Sequence, residues 1–326
     1  MAKLYFDRDV DASLISSKRV AVLGFGNQGR AHATLLRDFG VKVVVGARTG
    51  RGSALAESEG FFPMPLADAS AEAEVLMMAL PDEAMAAIYS AEIAPNVAPG
   101  KTLMVCHGFA FHFGFIAAPP GVDVCMAAPK GSGASLMAAN AEGRALAGLV
   151  AVFQDATGHA LETALGYACA LGCGRAVIIE TTFKEECVTD LFGEQAVLCG
   201  GIPELIKSAF RVLVDAGYSP ESAYLECLHE AKLITDLLYE RGLAGMRAAI
   251  SDTAEWGGYQ TGRRLVTDVV RNEMRAVLAE IESGSFARGW VSEAAGGKAE
   301  MLRLRAEEAE DPVEDVGREL RPKLGL

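Results

Sequence analysis

The chain has 326 residues, 51% hydrophobic and 22% charged with only 12 prolines, the composition of a folded globular protein long enough for two domains and not of a disordered one. Its net charge is −13, from 30 basic and 43 acidic residues, and no basic run interrupts that excess. A nucleic-acid or anionic-membrane partner is therefore disfavoured, whereas one anionic cofactor can still be held by a local patch.

The opening segment, MAKLYFDRDVDASLISSKRV, carries acids where a signal peptide needs an apolar stretch. No run reaches the roughly 18 apolar residues of a spanning helix. The seven cysteines (106, 125, 169, 173, 187, 199, 227) form no CxxC pair and mostly sit in apolar runs, the pattern of buried free thiols in a reducing compartment. A soluble, cytoplasmic protein is expected.

From Arg19 short apolar runs alternate with helical stretches, which predicts a parallel sheet covered by helices. The expected strands are 19–24, 41–46, 75–80, 102–106, 122–128, 149–153 and 175–179. Directly after the first comes Gly24-Phe25-Gly26-Asn27-Gln28-Gly29, a GxGxxG with a strand before it and a helix after it. That context marks a dinucleotide site: Gly24 for the tight turn, Gly26 for backbone approach to a pyrophosphate, and Gly29 for helix–strand packing. The helix N-terminus then faces the phosphates. At the end of the second strand an NAD site usually carries an acid. This chain instead has Arg48, Arg51 and Ser53, with no acid before Glu57, a set that suits the 2′-phosphate of NADP(H). The segment Asp82, Glu83, Ala84 and Met85, after the third strand, lies where such folds pass under the cofactor; its two acids are equally placed to cap a helix.

After "IIETTF" the alternation stops, placing a domain boundary near Thr182: residues 1–182 bind nucleotide and 183–326 form an all-α domain. One helix is expected over 183–199 and a second opens near Pro203. A third has Ser219 as N-cap, Pro220 at N1 and Gly242 just past its end. Later helices are expected over 263–282, 298–309 and 312–320. Asp190 and Glu194 lie four apart among Leu191, Phe192, Ala196, Val197 and Leu198, which favour burial. An unpaired carboxylate in a core costs several kcal/mol. Glu226 and Glu230 repeat that spacing on the third helix. Four carboxylates without His or Cys describe a site for a hard cation, Mg2+ above all. Pairing with Lys184, Lys207 or Lys232 is the alternative.

The stretches "GFGNQGRAHA", "CHGFAFHFG", "APKGSG", "ETTFKEECVTDLFGEQAVLCGG", "AYLECLHEAKLITDLLYE" and "ISDTAEWGGY" resemble the short-chain (class I) form of ketol-acid reductoisomerase, in order and over nearly the full length. The resemblance implies a Rossmann-like doubly wound sheet followed by an intertwined helical domain. It also implies Mg2+-dependent alkyl migration of a 2-acetolactate-type acid, followed by reduction with NADPH, in valine and isoleucine biosynthesis. It further implies catalytic roles for His107, Lys130 and Glu230. Two Mg2+ ions would be held by Asp190, Glu194, Glu226 and Glu230, the latter pair from a partner subunit, which makes a homodimer the minimum. Ser251 would contact the substrate, and Gly133 would lie in a cofactor-contacting loop. Arg51, "KGSGASLMAAN", Trp256 and Gly258 depart from the usual family pattern without touching the carboxylates, Lys130 or His107. A simple NADP-dependent hydroxyacid dehydrogenase, or a degenerate NADP-binding paralogue, is the rival reading; neither needs both carboxylate pairs.

Overall fold

The structure, a computed structural model, describes residues 2–326. Its compact units are Met1–Thr189 and Asp190–Leu326, and helix Phe183–Gly193 runs through the division.

The first unit is built on one sheet of eight strands: β1 (Leu4–Tyr5), β2 (Arg19–Leu23), β3 (Lys42–Gly46), β4 (Val75–Met78), β5 (Thr102–Val105), β6 (Asp123–Pro129), β7 (Gly148–Gln154) and β8 (Ile178–Glu180). Their order is β1-β8-β7-β6-β5-β4-β2-β3. Strands β3, β2, β4, β5 and β6 are mutually parallel. The sheet is nevertheless mixed, not purely parallel as the alternation suggested: β7 runs antiparallel to β6, and β1 antiparallel to β8. Pro129 at the end of β6 pairs with Gly148 at the start of β7. The intervening helix Gly133–Ala141 therefore stays at one end of the sheet, and helical periodicity alone cannot reveal that. The two-residue strand β1 is too short to leave a pattern.

The central strands are covered on both sides, which is why they read as unbroken apolar runs. Alternate residues feed opposite faces. Val20, Val22, Met77, Met104 and Cys125 join one apolar cluster, whereas Ala21, Leu23, Leu76, Met78, Leu103 and Val105 join another. Cys125, Cys169, Cys173 and Cys187 are buried and all seven thiols are free. No helix among the described residues is long and apolar enough to cross a membrane.

The second unit is helical. The expected helix over 183–199 is α-helical only to Gly193 and continues as a π turn over Glu194–Leu198. The third helix starts as predicted, with Ser219 capping the Ser222 N–H and Pro220 following. It too contains a π turn, Leu225–His229, before continuing as Glu230–Arg247. Gly242 (φ 69°) breaks the helix where a stop was predicted, but helical residues resume beyond it. The span expected over 263–282 is in fact two helices, Asp252–Leu265 and Asp268–Glu282. Three glycines in the former hid it, and helix Ser285–Ala295 was not anticipated. Helices Ala299–Ala309 and Pro312–Leu320 lie where expected.

His32 yields a test of the nucleotide domain's packing. It is fully buried on helix Asn27–Phe39, with Nδ1 3.0 Å from the Tyr167 hydroxyl, and burial pushes its pKa down to about 4. As pH falls through roughly 6.5 the unfolded chain takes up a proton that the folded chain refuses until about 4. The stability tied to neutral His32 is therefore complete above pH 6.5 and lost across that window, on the order of 3 kcal/mol. Melting temperature against pH should show this slope, and it should flatten in His32→Gln; an equally steep variant would remove His32 as its source.

Candidate active site

Parallel strands deliver their C-terminal ends to one edge of the sheet, where doubly wound folds bind ligands. The loops after β2, β4, β5 and β6 carry the GxGxxG, Asp82, His107 and Lys130 respectively. Gly24 sits at φ +100° with its N–H bonded to Gly46 O at 2.8 Å, and a Cβ there would fall on the Ala79 carbonyl. Gly26 caps helix Asn27–Phe39 and fronts open space, leaving the first-turn N–H groups to meet a phosphate. Phe25 points the other way: its ring is buried edge-on against Phe61, so only its backbone is left for a cofactor. Met85 is likewise a core side chain, 2% exposed. Asp82 and Glu83 occupy the first turn of helix Asp82–Ile88, beside Ala84, where acids favour the helix dipole. Gly133 faces protein: a Cβ there would strike Asn27 O and come within 3.2 Å of Gln28 N.

Past β3, Arg48 and Arg51 are exposed, and Arg51 opens helix Arg51–Ser58. Ser53 is already engaged, its hydroxyl bonded to Gly50 N at 3.1 Å and Gly50 O at 3.0 Å. The two guanidiniums are thus better available to an anion than the hydroxyl.

The most constrained group was not among the residues singled out in the sequence. Glu186, on helix Phe183–Gly193, is 1% exposed. Its carboxylate accepts from Gly108 N at 3.1 Å, meets His107 Nδ1 at 3.1 Å and lies 3.3 Å from Lys130 Nζ. Burial would raise the Glu186 pKa, but bonding to His107, the charges of His107 and Lys130, and the Gly108 N–H hold it below the usual carboxylate range. Burial would likewise lower His107. The Cys187 thiol, 4.0 Å from Nε2, is itself kept neutral by burial, so the Glu186 carboxylate and Asp82 are what hold the imidazole well above its ordinary range. His107 is therefore an imidazolium at neutral pH, an acid and not a free base. Its spacing was a usable signal: Glu186, Asp190 and Glu194 repeat every four residues on one helix face.

Asp190 follows Glu186 by one turn of the same helix. A ring nitrogen of His107 and a carboxylate oxygen from each of Glu186 and Asp190 lie within 4.8 Å of one another; the protonated imidazole brings charge to this cluster, and the carboxylates bring the oxygen ligands. Glu194 begins the π turn, Glu226 lies inside the second π turn and Glu230 directly follows it. The expectation that both acid pairs are buried is corrected: Asp190 is half-buried and Glu194, Glu226 and Glu230 are exposed. Hydration relieves the desolvation cost that a core position would impose. Two of the three lysines offered as partners are engaged elsewhere: Lys207 pairs with Glu204 and Glu308, and Lys232 with Asp236 at 2.5 Å. Ser251 caps helix Asp252–Leu265 by accepting from Ala254 N at 3.2 Å. The donor set along the Glu186 helix is rich in carboxylate oxygen and fits a hard divalent cation.

Comparison with known proteins accounts for both units. The family model described as the NADPH-binding domain of acetohydroxy acid isomeroreductase matches residues 14–177. That of the ketol-acid reductoisomerase C-terminal domain matches residues 183–324. A solved NADH-preferring ketol-acid reductoisomerase from an uncultured archean is 41% identical, with 98% of each chain covered and a TM-score of 0.95. An NAD-binding semialdehyde dehydrogenase protein from Cupriavidus necator covers 81% of this chain and 99% of its own at 17% identity and TM-score 0.62. A pyrroline-5-carboxylate reductase from Coxiella burnetii covers 82% and 98% at 11% identity and TM-score 0.58. These last two share the fold alone. Matches over both units and 41% identity along the whole length have one reading: the chain belongs to the ketol-acid reductoisomerase family of oxidoreductases.

Proposed function

We propose that this chain converts 2-acetolactate, or 2-aceto-2-hydroxybutyrate, to the 2,3-dihydroxy-3-methyl acid, using two Mg2+ ions and NADPH, in the cytoplasmic synthesis of valine and isoleucine. The observation that carries this reading is the buried Glu186 carboxylate, which gathers His107 and Lys130 beside Asp190. A simple dehydrogenase, which only transfers hydride, does not require such an acid-rich centre.

Asp190 and Glu194, with Glu226 and Glu230 from a second copy, would hold the cations. Bound there, they supply Lewis acidity towards the ketone and hydroxyl oxygens of the substrate. The nicotinamide supplies the hydride. Lys130 keeps its ammonium, balanced by Glu186, near the oxygen on which negative charge develops. Protonated His107 anchors Glu186 and adds to the same positive field. Glu230, exposed in the single chain, takes up the hydroxyl proton and returns it. Ser251 has a hydroxyl for the substrate carboxylate while it also caps its helix. Residues 1–182 serve the nucleotide, and 183–326 serve the metals and dimerisation. Apolar side chains left exposed in the second unit, among them Val197, Leu198, Leu243 and Trp256, support cover by a second copy.

For the nucleotide, Gly24, Phe25, Gly26, Asn27 and Gln28 surround the pyrophosphate through their backbone, and Arg48 and Arg51 meet the 2′-phosphate. The absence of an acid before Glu57 supports NADPH; the 41% identical neighbour prefers NADH, so the choice rests on this chain's own arginines.

The deciding assay is NADPH oxidation with 2-acetolactate, with and without Mg2+. Turnover should need the metal, and Asp190→Asn should lower it by about 100-fold or more while weakening Mg2+ binding by calorimetry. Full turnover in that variant, or without any divalent ion, removes the metal assignment. Changing Arg48 and Arg51 together to Asp should shift preference from NADPH towards NADH by at least about 10-fold; unaltered NADPH affinity would place the phosphate elsewhere. Light scattering should give at least twice the mass of one chain, and a fully active monomer would sink the shared site.

A further inference from the structure

We propose that Gln28 is a positioning residue for Lys130, fastening the segment that carries the lysine to the dinucleotide loop. The inference rests on the role given to Lys130 above.

Gln28 lies at the second position of helix Asn27–Phe39, and its Nε2 donates to Gly131 O at 3.0 Å across 103 residues of chain. Gly131 immediately follows Lys130, whose Nζ meets Glu186 at 3.3 Å. Two residues further, Gly133 lies flat on the backbone of Asn27 and Gln28, too close for any side chain. The segment is therefore held at two points on the dinucleotide loop, one through a side chain and one through bare backbone. Its third anchor is Lys130 N–H to Ala147 O at 2.8 Å.

The orientation of the amide also matters. Nε2 gives one of its two N–H groups to Gly131, and Oε1 forms the other arm of the amide. That atom is buried and meets no donor among the described residues. A carbonyl oxygen is an acceptor and has nothing to offer a phosphate oxygen. The amide nitrogen thus holds Gly131, while the buried oxygen has the wrong polarity for a pyrophosphate. Losing one such bond lets the backbone next to Lys130 drift, and small misplacements of a charged group near reacting atoms are costly in rate.

The test uses the full chain with NADPH and Mg2+. Gln28→Leu removes the donor; Gln28→Glu, nearly isosteric, sets acceptor oxygens against the Gly131 carbonyl and guards against loss of folding in the first variant. Each should lower kcat with 2-acetolactate by about 10-fold while NADPH Kd, from fluorescence titration, stays within about 3-fold. Adding Gln28→Leu to Lys130→Gln should change kcat by less than about 2-fold, because the residue acts through the lysine. A rise in Kd matching the fall in kcat, unchanged kcat in both variants, or losses that multiply in the double variant would overturn the proposal. Wild-type kcat in Lys130→Gln alone overturns the role of Lys130 itself, and so separates failure of that reading from failure of this one.

Discussion

A carboxylate sealed from solvent must find positive charge and hydrogen-bond donors or lose its ionisation. Glu186 meets that demand with the imidazolium of His107, the ammonium of Lys130 and the Gly108 N–H. Those three partners come from the loops after β5 and β6, far apart in sequence, and the acid comes from the helix that leads into the second unit. The demand acts in both directions. His107 stays protonated because of Glu186, and Glu186 stays ionised because of His107 and Lys130. Removing one member leaves the others uncompensated in a poorly solvated place, which is the situation in which charge interactions are strongest.

The sheet makes this convergence possible. Five mutually parallel strands send their C-terminal ends the same way, so each following loop contributes one group to the same edge. The reversal at β7 keeps helix Gly133–Ala141 at that edge, where its first residue rests on the GxGxxG backbone. The dinucleotide loop and the Lys130 segment are in this way parts of one packed layer.

Much of this is legible in the sequence. The apolar runs gave seven of the eight strands because strands buried on both faces leave no polar residue to blur them, and Ser219-Pro220 marked a helix start because the cap is chemical and local. What escaped was non-local. The direction of β7 depends on pairing partners, and helix Asp252–Leu265 is stabilised despite three glycines that lower its propensity. The site shows the same division. Its His, Lys and Asp stand out by motif, whereas Glu186 is marked only by its four-residue spacing from Asp190, and its burial depends on loops distant in sequence. Phe25 and Met85, both named with the cofactor segments, give their side chains to the core and leave only backbone for a ligand.

Both helices that bear the acid pairs contain a single π turn, at Glu194–Leu198 and at Leu225–His229. Such a turn holds one residue more than an ideal coil and is frequent at functional sites. Excising that extra residue would restore regular winding and leave the rest of the helix facing much as before, while re-aiming the side chains in and beside the turn. Glu194, Glu226 and Glu230 are those side chains. A lineage that lost either residue would keep its helices and lose the aim of its acids.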